Sequence, residues 1–309
     1  MKRLLHLTFG MAALLTLGTA CTAEDPANGL DIDQVIYDGD ADSGNSGPTT
    51  NPLDTKLLSG YSFNNDNYQF EYSINGQPAS AVKESYYNYW NTTRFDFGYD
   101  TPDNVTSVSW AETVYNPGIE HVESSVTAVS LDNLQFEDGL LKSLIYSAQR
   151  TDNMESYYDK NGHYVSATTQ TTTLPGYTVT FEYNGRNLVK INVGGTEYVQ
   201  KWVDGDLVEI NSPYFGTSTI EYSDVENRFG QWDPTLPFMG FFQSFGWFGD
   251  APLHFPNTIT TSALNTGSSR QTIACALDYY ITYSGLIERV RWSTSLSNYI
   301  EADLSYVSR

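Results

Sequence analysis

The chain is short of cysteine and of basic residues, and each shortage excludes a class of protein. Among 309 residues there are only two cysteines, Cys21 and Cys275, so the fold cannot rest on a disulfide framework. Lysine and arginine together number 16 against 37 acidic residues. The resulting net charge of −21 argues against a protein that binds nucleic acid or an anionic membrane surface.

Recognisable catalytic, metal and cofactor motifs are also missing. The four histidines do not stand at metal-ligand spacing, and neither a G-x-S-x-G motif nor a glycine-rich phosphate loop is present. Cys275 lies in QTIACALDYYITY without a nucleophile signature. Glycan hydrolases use a pair of carboxylates, but the chain has 37 acidic residues, so the presence of such a pair in the sequence does not identify a hydrolase. We therefore expect no cofactor, no metal and no enzymatic activity, with a glycan hydrolase as the less favoured alternative.

Residues 1–20 have the pattern of an export signal. A basic start is followed by an apolar stretch over residues 4–17 and by small residues that end before Cys21. A cysteine in this place resembles the lipobox of bacterial lipoproteins, which implies that the signal is removed and that Cys21 carries lipid. Gly18 departs from that pattern, since leucine is commonest there. Ordinary cleavage near Ala20 is the alternative.

Residues 21–56 are predicted to be a disordered acidic tether, because they are rich in Asp, Gly, Ser, Asn and Pro and poor in apolar side chains. Glu24 and Asp25, soon after the cysteine, resemble the export signal of surface lipoproteins in Bacteroidetes. That resemblance implies an exported outer-membrane lipoprotein at the cell surface. The membrane, reached through a lipid anchor, is the first expected partner.

Turn signals recur through the rest of the chain. Asp138-Gly139, Asn161-Gly162, Asn184-Gly185 and Asp204-Gly205 each stand between alternating apolar and polar residues, the strongest local sign of a β-hairpin. Comparable stretches with helical spacing and caps are missing. The pattern predicts one mainly β domain over residues 57–309, folded as an antiparallel up-and-down meander.

The phrase aromatic–(D/N)–G–x–L–x–x–I resembles the YD repeats of bacterial surface and toxin proteins. The segments FEYNGRNLVKI, SPYFGTSTIEYSDVENRFGQW, FGWFGDAPLHFPNTIT and YYITYSGLIERVRW resemble a Bacteroidetes outer-membrane lipoprotein family, built on a domain of unknown function with a porin-like fold. The resemblance implies a strongly curled sheet and brings no activity. We expect a half-barrel that is soluble rather than membrane-spanning, because the second strand face is polar and the strands look shorter than outer-membrane strands.

One aromatic cluster predicts a ligand site. In ESYYNYWNTTRFDFGY, Tyr86, Asn88 and Trp90 fall on one side of a strand. Rings beside amides are typical of sugar-binding surfaces, because the rings stack on sugar C–H faces while amides bond the hydroxyls. The alternative is that a curled sheet needs these rings in its core.

A second aromatic cluster, residues 238–255, predicts a contact surface or a plug. Phe241, Phe242, Phe245 and Trp247 form a patch for a partner protein if they are exposed, or close the sheet if they are buried. The leading hypothesis is a non-enzymatic binding or accessory lipoprotein with glycan as its ligand class. The alternative is a structural or assembly subunit that binds another outer-membrane protein through an open sheet edge or this patch.

Overall fold

The computed structural model describes residues 56–63, 66–73, 76–86, 90–102, 104–117, 121–156, 161, 167–213, 216–227, 245–262, 272–282, 286–295 and 298–308. Within these ranges the chain forms sixteen strands and no helix. The strands are β1 (Lys56–Phe63), β2 (Asp66–Tyr72), β3 (Pro78–Tyr86), β4 (Trp90–Thr101), β5 (Asn104–Pro117), β6 (His121–Glu137), β7 (Leu140–Ser156), β8 (Ala167–Asn184), β9 (Asn187–Val193), β10 (Thr196–Val203), β11 (Asp206–Ser212), β12 (Gly216–Glu226), β13 (His254–Ser262), β14 (Thr272–Ile281), β15 (Ile287–Ser295) and β16 (Asn298–Ser308).

The strands form a closed antiparallel barrel. Each is hydrogen-bonded to its neighbours in chain order, and β16 returns to pair with β1 from Lys56–Ser308 to Phe63–Ala302. The up-and-down antiparallel order agrees with the sequence, but the prediction of an open curled sheet or half-barrel is wrong. Alternation of apolar and polar residues is the same in an open and a closed sheet. The closing pair joins distant parts of the chain and leaves no local signal.

Five strands are also longer than the sequence suggested. β4 to β8 contain 12, 14, 17, 17 and 18 residues, so the expected short strands are wrong there. In β8 one cause is visible in the pairing with β7, which shifts from Tyr146–Tyr177 to Ala148–Leu174. The extra residue in β8 inverts its alternation of faces, so that Leu174 and Val179, five residues apart, are both buried. A long strand with such a bulge looks like two short strands in the sequence.

The hairpin prediction is confirmed at Asp138-Gly139 and Asp204-Gly205. Both residues of each turn have positive φ, 53° and 74° in the first and 50° and 90° in the second, as a type I′ turn requires. At Asn184-Gly185 the turn is displaced by one residue, because Asn184 ends β8 and Gly185-Arg186 forms the turn. Of Asn161-Gly162, Asn161 lies in a turn and Gly162 is outside the described residues.

The repeated L-x-x-I phrase marks a β-bulge after a hairpin. Its apolar residues stand three apart, and each is at most 3% exposed: Leu188 and Ile191, Leu207 and Ile210, Ile287 and Val290. Residues three apart point to opposite faces of a regular strand, so an extra residue must intervene. The register leaves Val208 unpaired in β10–β11 and Glu288 unpaired in β14–β15. The phrase thus encodes a turn followed by a bulge that returns both apolar residues to one face.

The strands divide into two compact units. One unit contains β1 and β9 to β16 and comprises residues 1–64, 137–140 and 181–309. Its buried face takes apolar side chains from successive strands, among them Leu58, Ile191, Ile210, Ile220, Ile259, Leu277, Val290 and Ala302. The opposite face is polar and carries ion pairs such as Arg289–Asp303 at 2.5 Å.

The β2–β8 unit comprises residues 65–136 and 141–180. Its buried face carries an apolar row in matched register across five strands: Phe70, Ala81, Phe95, Trp110 and Val129. On the side of this row nearer the β3–β4 turn, the same face becomes polar. We call that region the polar half of the buried face. It comprises Asp66, Lys83, Ser85, Thr93, Glu112, Ser125, Thr127, Arg150 and Asp152.

Candidate functional site

The two aromatic positions that were predicted to bind a ligand are paired in the structure. Tyr86 ends β3, Trp90 begins β4, and the two are direct partners in the antiparallel register. Asn88, the third predicted ligand residue, lies outside the described residues. Further along β4, Arg94 and Asp96 lie on one face of the strand and are both exposed. The exposed face of β4 is therefore the face on which a ligand is to be sought.

That face carries an open groove of about 620 Å³ that runs across β4 to β8. We call it the exposed-face groove. It lies wholly within the β2–β8 unit. Its lining residues are Arg94, Asp96, Ser109, Trp110, Ala111, Ala128, Val129, Ser130, Ser147, Ala148, Gln149 and Thr173.

The groove exists because short side chains meet in its centre. Ser109 pairs with Ser130, and Ala111 pairs with Ala128, so four small residues lie side by side on β5 and β6. Longer side chains stand on the flanking strands, such as Arg94 on β4 and Gln149 on β7. A floor of hydroxyl and methyl groups between longer polar walls leaves room for a flat polar molecule.

The polar groups at one end of the groove are well solvated. The Arg94 guanidinium Nε donates to Asp96 Oδ1 at 3.0 Å, with side chains 64% and 66% exposed. The Ser130 hydroxyl donates to Asp132 Oδ2 at 2.6 Å. Exposed ion pairs contribute about 0–1 kcal/mol to stability. Arg94 and Asp96 can therefore exchange partners with a ligand at a small energetic cost.

The second predicted patch is only partly within the described residues. Phe241 and Phe242 lie outside them. Phe245 is half-buried and Trp247 is 7% exposed, with ring centroids 5.2 Å apart. The Tyr183 hydroxyl donates to the carbonyl of Trp247 at 3.4 Å, and burial raises the pKa of Tyr183 above its ordinary value. The structure thus places Trp247 against the end of β8 rather than in solvent.

Residues 249–253 hold this segment against two hairpin turns. The Asp250 amide donates to the carbonyl of Arg186 at 3.1 Å, and the Arg186 Nε donates to Asp250 Oδ1 at 2.8 Å. The Leu253 amide donates to the carbonyl of Gly205 at 3.2 Å. Gly249 has a φ of +89°, and a Cβ there would overlap the carbonyl oxygen of Arg186. We call residues 245–253 the turn-covering segment.

Two of the described side chains that could support catalysis or bind a metal, His254 and Cys275, are engaged or buried. His254 Nδ1 lies 2.8 Å from Asp206 Oδ2, and its backbone amide donates to Asp206 Oδ1 at 3.0 Å, which ties β13 to β11. Cys275 is 2% exposed, and Cys21 is outside the described residues. Over the described ranges, no group of three or more His, Cys, Asp or Glu side chains could hold a metal ion. Over the same ranges, no helix has the length and apolar character needed to cross a membrane.

A further cavity of about 620 Å³ lies on the polar face of β14 to β16. The guanidinium carbons of Arg289 and Arg291 lie 5.8 and 5.6 Å from the Tyr280 ring centroid, within cation–π range. Each arginine also has a carboxylate partner: Asp303 accepts from Arg289 at 2.5 Å, and Glu301 accepts from Arg291 at 2.6 Å. The Asp303 hydrogen bond raises the pKa of Arg289. The carboxylates beside both arginines offset their positive charge, so this cavity does not favour an anion.

Sequence reasoning missed the groove beyond the β3–β4 hairpin. The available signal was the run of small residues at alternate positions, Ser107, Ser109 and Ala111 on β5 and Ala128 and Ser130 on β6. Those residues make a groove only when β5 and β6 pair in one register. The register depends on the whole sheet and cannot be determined from the sequence of either strand alone.

The chain is similar to solved structures of porin-like proteins from Bacteroides. One, from Bacteroides uniformis ATCC 8492, has 13% identity and a TM-score of 0.40, covering 81% of this chain and 96% of its own. Another, from Bacteroides vulgatus ATCC 8482, has 10% identity and a TM-score of 0.26, covering 81% and 98%. No protein-family model and no curated protein matches the chain. Membership of the lipoprotein family that the sequence resembles stays a prediction.

Proposed function

We propose that this chain is a lipid-anchored protein of the outer membrane, displayed at the cell surface, that binds glycan in the exposed-face groove without changing it chemically. One observation carries the proposal: an open groove lined by small and polar side chains lies on the exposed face of β4, the strand that begins at Trp90. A binding surface would then run from Tyr86 and Trp90 to Gln149.

The chemistry of the groove suits a neutral hydroxylated ligand. Guanidinium, carboxylate and amide groups at its two ends can each form directed hydrogen bonds to sugar hydroxyls, while the Ala111 and Ala128 methyls can contact C–H faces. The groove is long and open rather than deep. That shape favours a segment of a polymer over a small enclosed substrate.

Anchoring rests on the N-terminal pattern. The export signal over residues 1–20 and the cysteine that follows it support lipidation of Cys21, with the protein held at the membrane through that lipid. A glycan-binding protein held in this way keeps its ligand at the cell surface. This part of the proposal is independent of the groove.

An assembly role is the less favoured proposal. It needs an open sheet edge or an exposed aromatic patch. The described strands pair into a closed order without an open edge, and Trp247 is 7% exposed. Both features reduce the surface that such a partner could use.

The test is a thermal-shift screen of the purified chain against plant and host polysaccharides and their oligosaccharides. At a hundred times Kd, a ligand that binds only the folded state adds about 2.7 kcal/mol, or roughly 5 °C for a domain of this size. Ala128→Trp fills the groove floor. Ala274→Trp, at an exposed alanine on β14, is the matched control.

We expect a glycan-dependent rise in Tm for the unmodified chain and for Ala274→Trp, and its loss in Ala128→Trp. Trp90→Ala should weaken the same response. A flat response across the whole panel would contradict the proposal. Equal responses in the two tryptophan variants would place any bound glycan outside the groove.

A further inference from the structure

The polar half of the buried face contains a lysine between two carboxylates. Lys83 Nζ lies 2.6 Å from Glu112 Oε1 and 3.7 Å from Asp66 Oδ2. The side chains of Lys83 and Asp66 are only 14% and 17% exposed, whereas that of Glu112 is 36% exposed. The cluster is therefore largely withdrawn from water and is open on the Glu112 side.

Three polar atoms in this cluster are buried without a hydrogen-bond partner among the described residues. They are Asp66 Oδ1, Ser85 Oγ and Thr93 Oγ1. Thr93 is 1% exposed and Ser85 is 4% exposed. Register places Ser85 directly opposite Asp66 on β2, and Thr93 on β4 directly opposite Lys83 on β3. Buried polar groups in native proteins are almost always bonded, so these three atoms are candidates to bond a group from outside the described residues.

The far side of the polar half is different. There Asp152 Oδ1 accepts from Arg150 Nε at 2.7 Å and from the Ser125 hydroxyl at 2.8 Å. The Arg150 and Ser125 hydrogen bonds lower the pKa of Asp152. These groups satisfy one another and need no ligand. In this half of the face, the polar atoms without a hydrogen-bond partner among the described residues lie around Lys83.

The charges of the cluster select the ligand. A cation placed near Thr93 would meet the Lys83 ammonium, and an anion would meet Asp66 and Glu112, so both are repelled at short range. One hydroxyl group can donate to Asp66 Oδ1 and accept from Ser85 at the same time, and a second can accept from Thr93. A neutral molecule with several hydroxyls satisfies all three orphan atoms.

We propose that Lys83, Asp66, Glu112, Thr93 and Ser85 form a second binding site, which takes one neutral sugar unit or similar polyol by its hydroxyl-bearing edge. The site lies on the opposite face of β4 from the exposed-face groove, because Thr93 alternates with Arg94. The ligand would enter this site from the Glu112 side. It does not depend on the groove or on the function proposed for it.

The test is isothermal titration of the purified chain with D-glucose, D-galactose and D-mannose. Glucosamine and glucuronate serve as cationic and anionic counter-probes of similar size. Thr93→Val removes one orphan hydroxyl at nearly constant volume, and Lys83→Met removes the ammonium. Thr178→Val is the matched control, since Thr178 is an exposed threonine on β8 of the same unit.

We expect at least one neutral sugar to bind, with both charged probes much weaker. Thr93→Val should bind that sugar about tenfold more weakly, as the loss of one buried hydrogen bond implies, while Thr178→Val binds normally. The ligand-free Tm of Thr93→Val should not fall, because the valine has no hydroxyl to leave unpaired. That combination separates lost recognition from lost folding, even where Lys83→Met is unstable.

Failure to bind any neutral sugar would overturn the proposal, as would normal binding by Thr93→Val or stronger binding of a charged probe. Ala128→Trp distinguishes the two sites. It should abolish polymer binding in the groove and leave monosaccharide binding near Lys83 intact. Loss of both in that variant would contradict the assignment of two sites.

Discussion

Replacement of Gly249 by alanine tests how the turn-covering segment is held. Gly249 has a φ of +89°, and an added Cβ would overlap the carbonyl oxygen of Arg186, which is backbone and cannot rotate away. Gly246 is a matched control in the same segment. It has a φ of +72°, and an added Cβ would meet nothing within 4 Å.

The magnitudes follow from these two environments. At Gly246 alanine bears only the conformational cost of positive φ, about 1–2 kcal/mol. At Gly249 the segment must also move away. It then exposes Trp247 and Phe248, now 7% and 5% exposed, and each is worth about 1.5–3 kcal/mol when buried. We expect Gly249→Ala to lower the free energy of unfolding by about 3–6 kcal/mol, with full undocking as the upper limit.

The assay is urea unfolding of both variants followed by tryptophan fluorescence, together with hydrogen exchange at the Asp250 amide. That amide donates to Arg186 across the proposed collision. Gly249→Ala should lose its protection while Gly246→Ala keeps it. Equal losses of stability in the two variants would refute the steric argument. So would an Asp250 amide that stays protected in a destabilised Gly249→Ala.

Two further predictions concern the core and the anchor. Leu207→Ala removes a side chain that is 0% exposed and should lower the free energy of unfolding in urea by about 2–5 kcal/mol. Val199→Ala, at a side chain that is 42% exposed, should lower it by less than about 0.5 kcal/mol. Similar losses of stability in the two variants would mean that the L-x-x-I bulge does not position the core. Cys21→Ala should abolish incorporation of labelled fatty acid in cells, and a chain that is still labelled would show that the lipid is attached elsewhere.

The hairpins could be read from the sequence because their cause is local. Asp204 and Gly205 both have positive φ, and Asp-Gly is among the few residue pairs that tolerate this conformation well between two strands. Closure of the barrel could not be read in this way. It depends on the pairing of β1 with β16, and each of these strands looks like any other half-buried strand.

The polar half of the buried face could not be predicted from the sequence, for a different reason. In PASAVKESY, Ala81, Lys83 and Ser85 alternate with Val82 and Glu84, and the sequence favours neither set as the buried one. The structure buries Ala81 completely and leaves Val82 half-buried, so Lys83 follows Ala81 onto the buried face. The neighbouring strands decide which set is buried, because Phe70 and Phe95 lie on either side of Ala81 in the register.

The pairing of β1 with β16 also sets the order in which the barrel can be completed. β2 to β15 can each join a neighbour as soon as that neighbour is available, but β1 has one edge that only β16 can cover. Until β16 arrives, unpaired N–H and C=O groups of β1 can recruit a strand from another chain. Folding is therefore most vulnerable just before its last strand pairs, and variants that weaken β16 should aggregate rather than persist as open sheets.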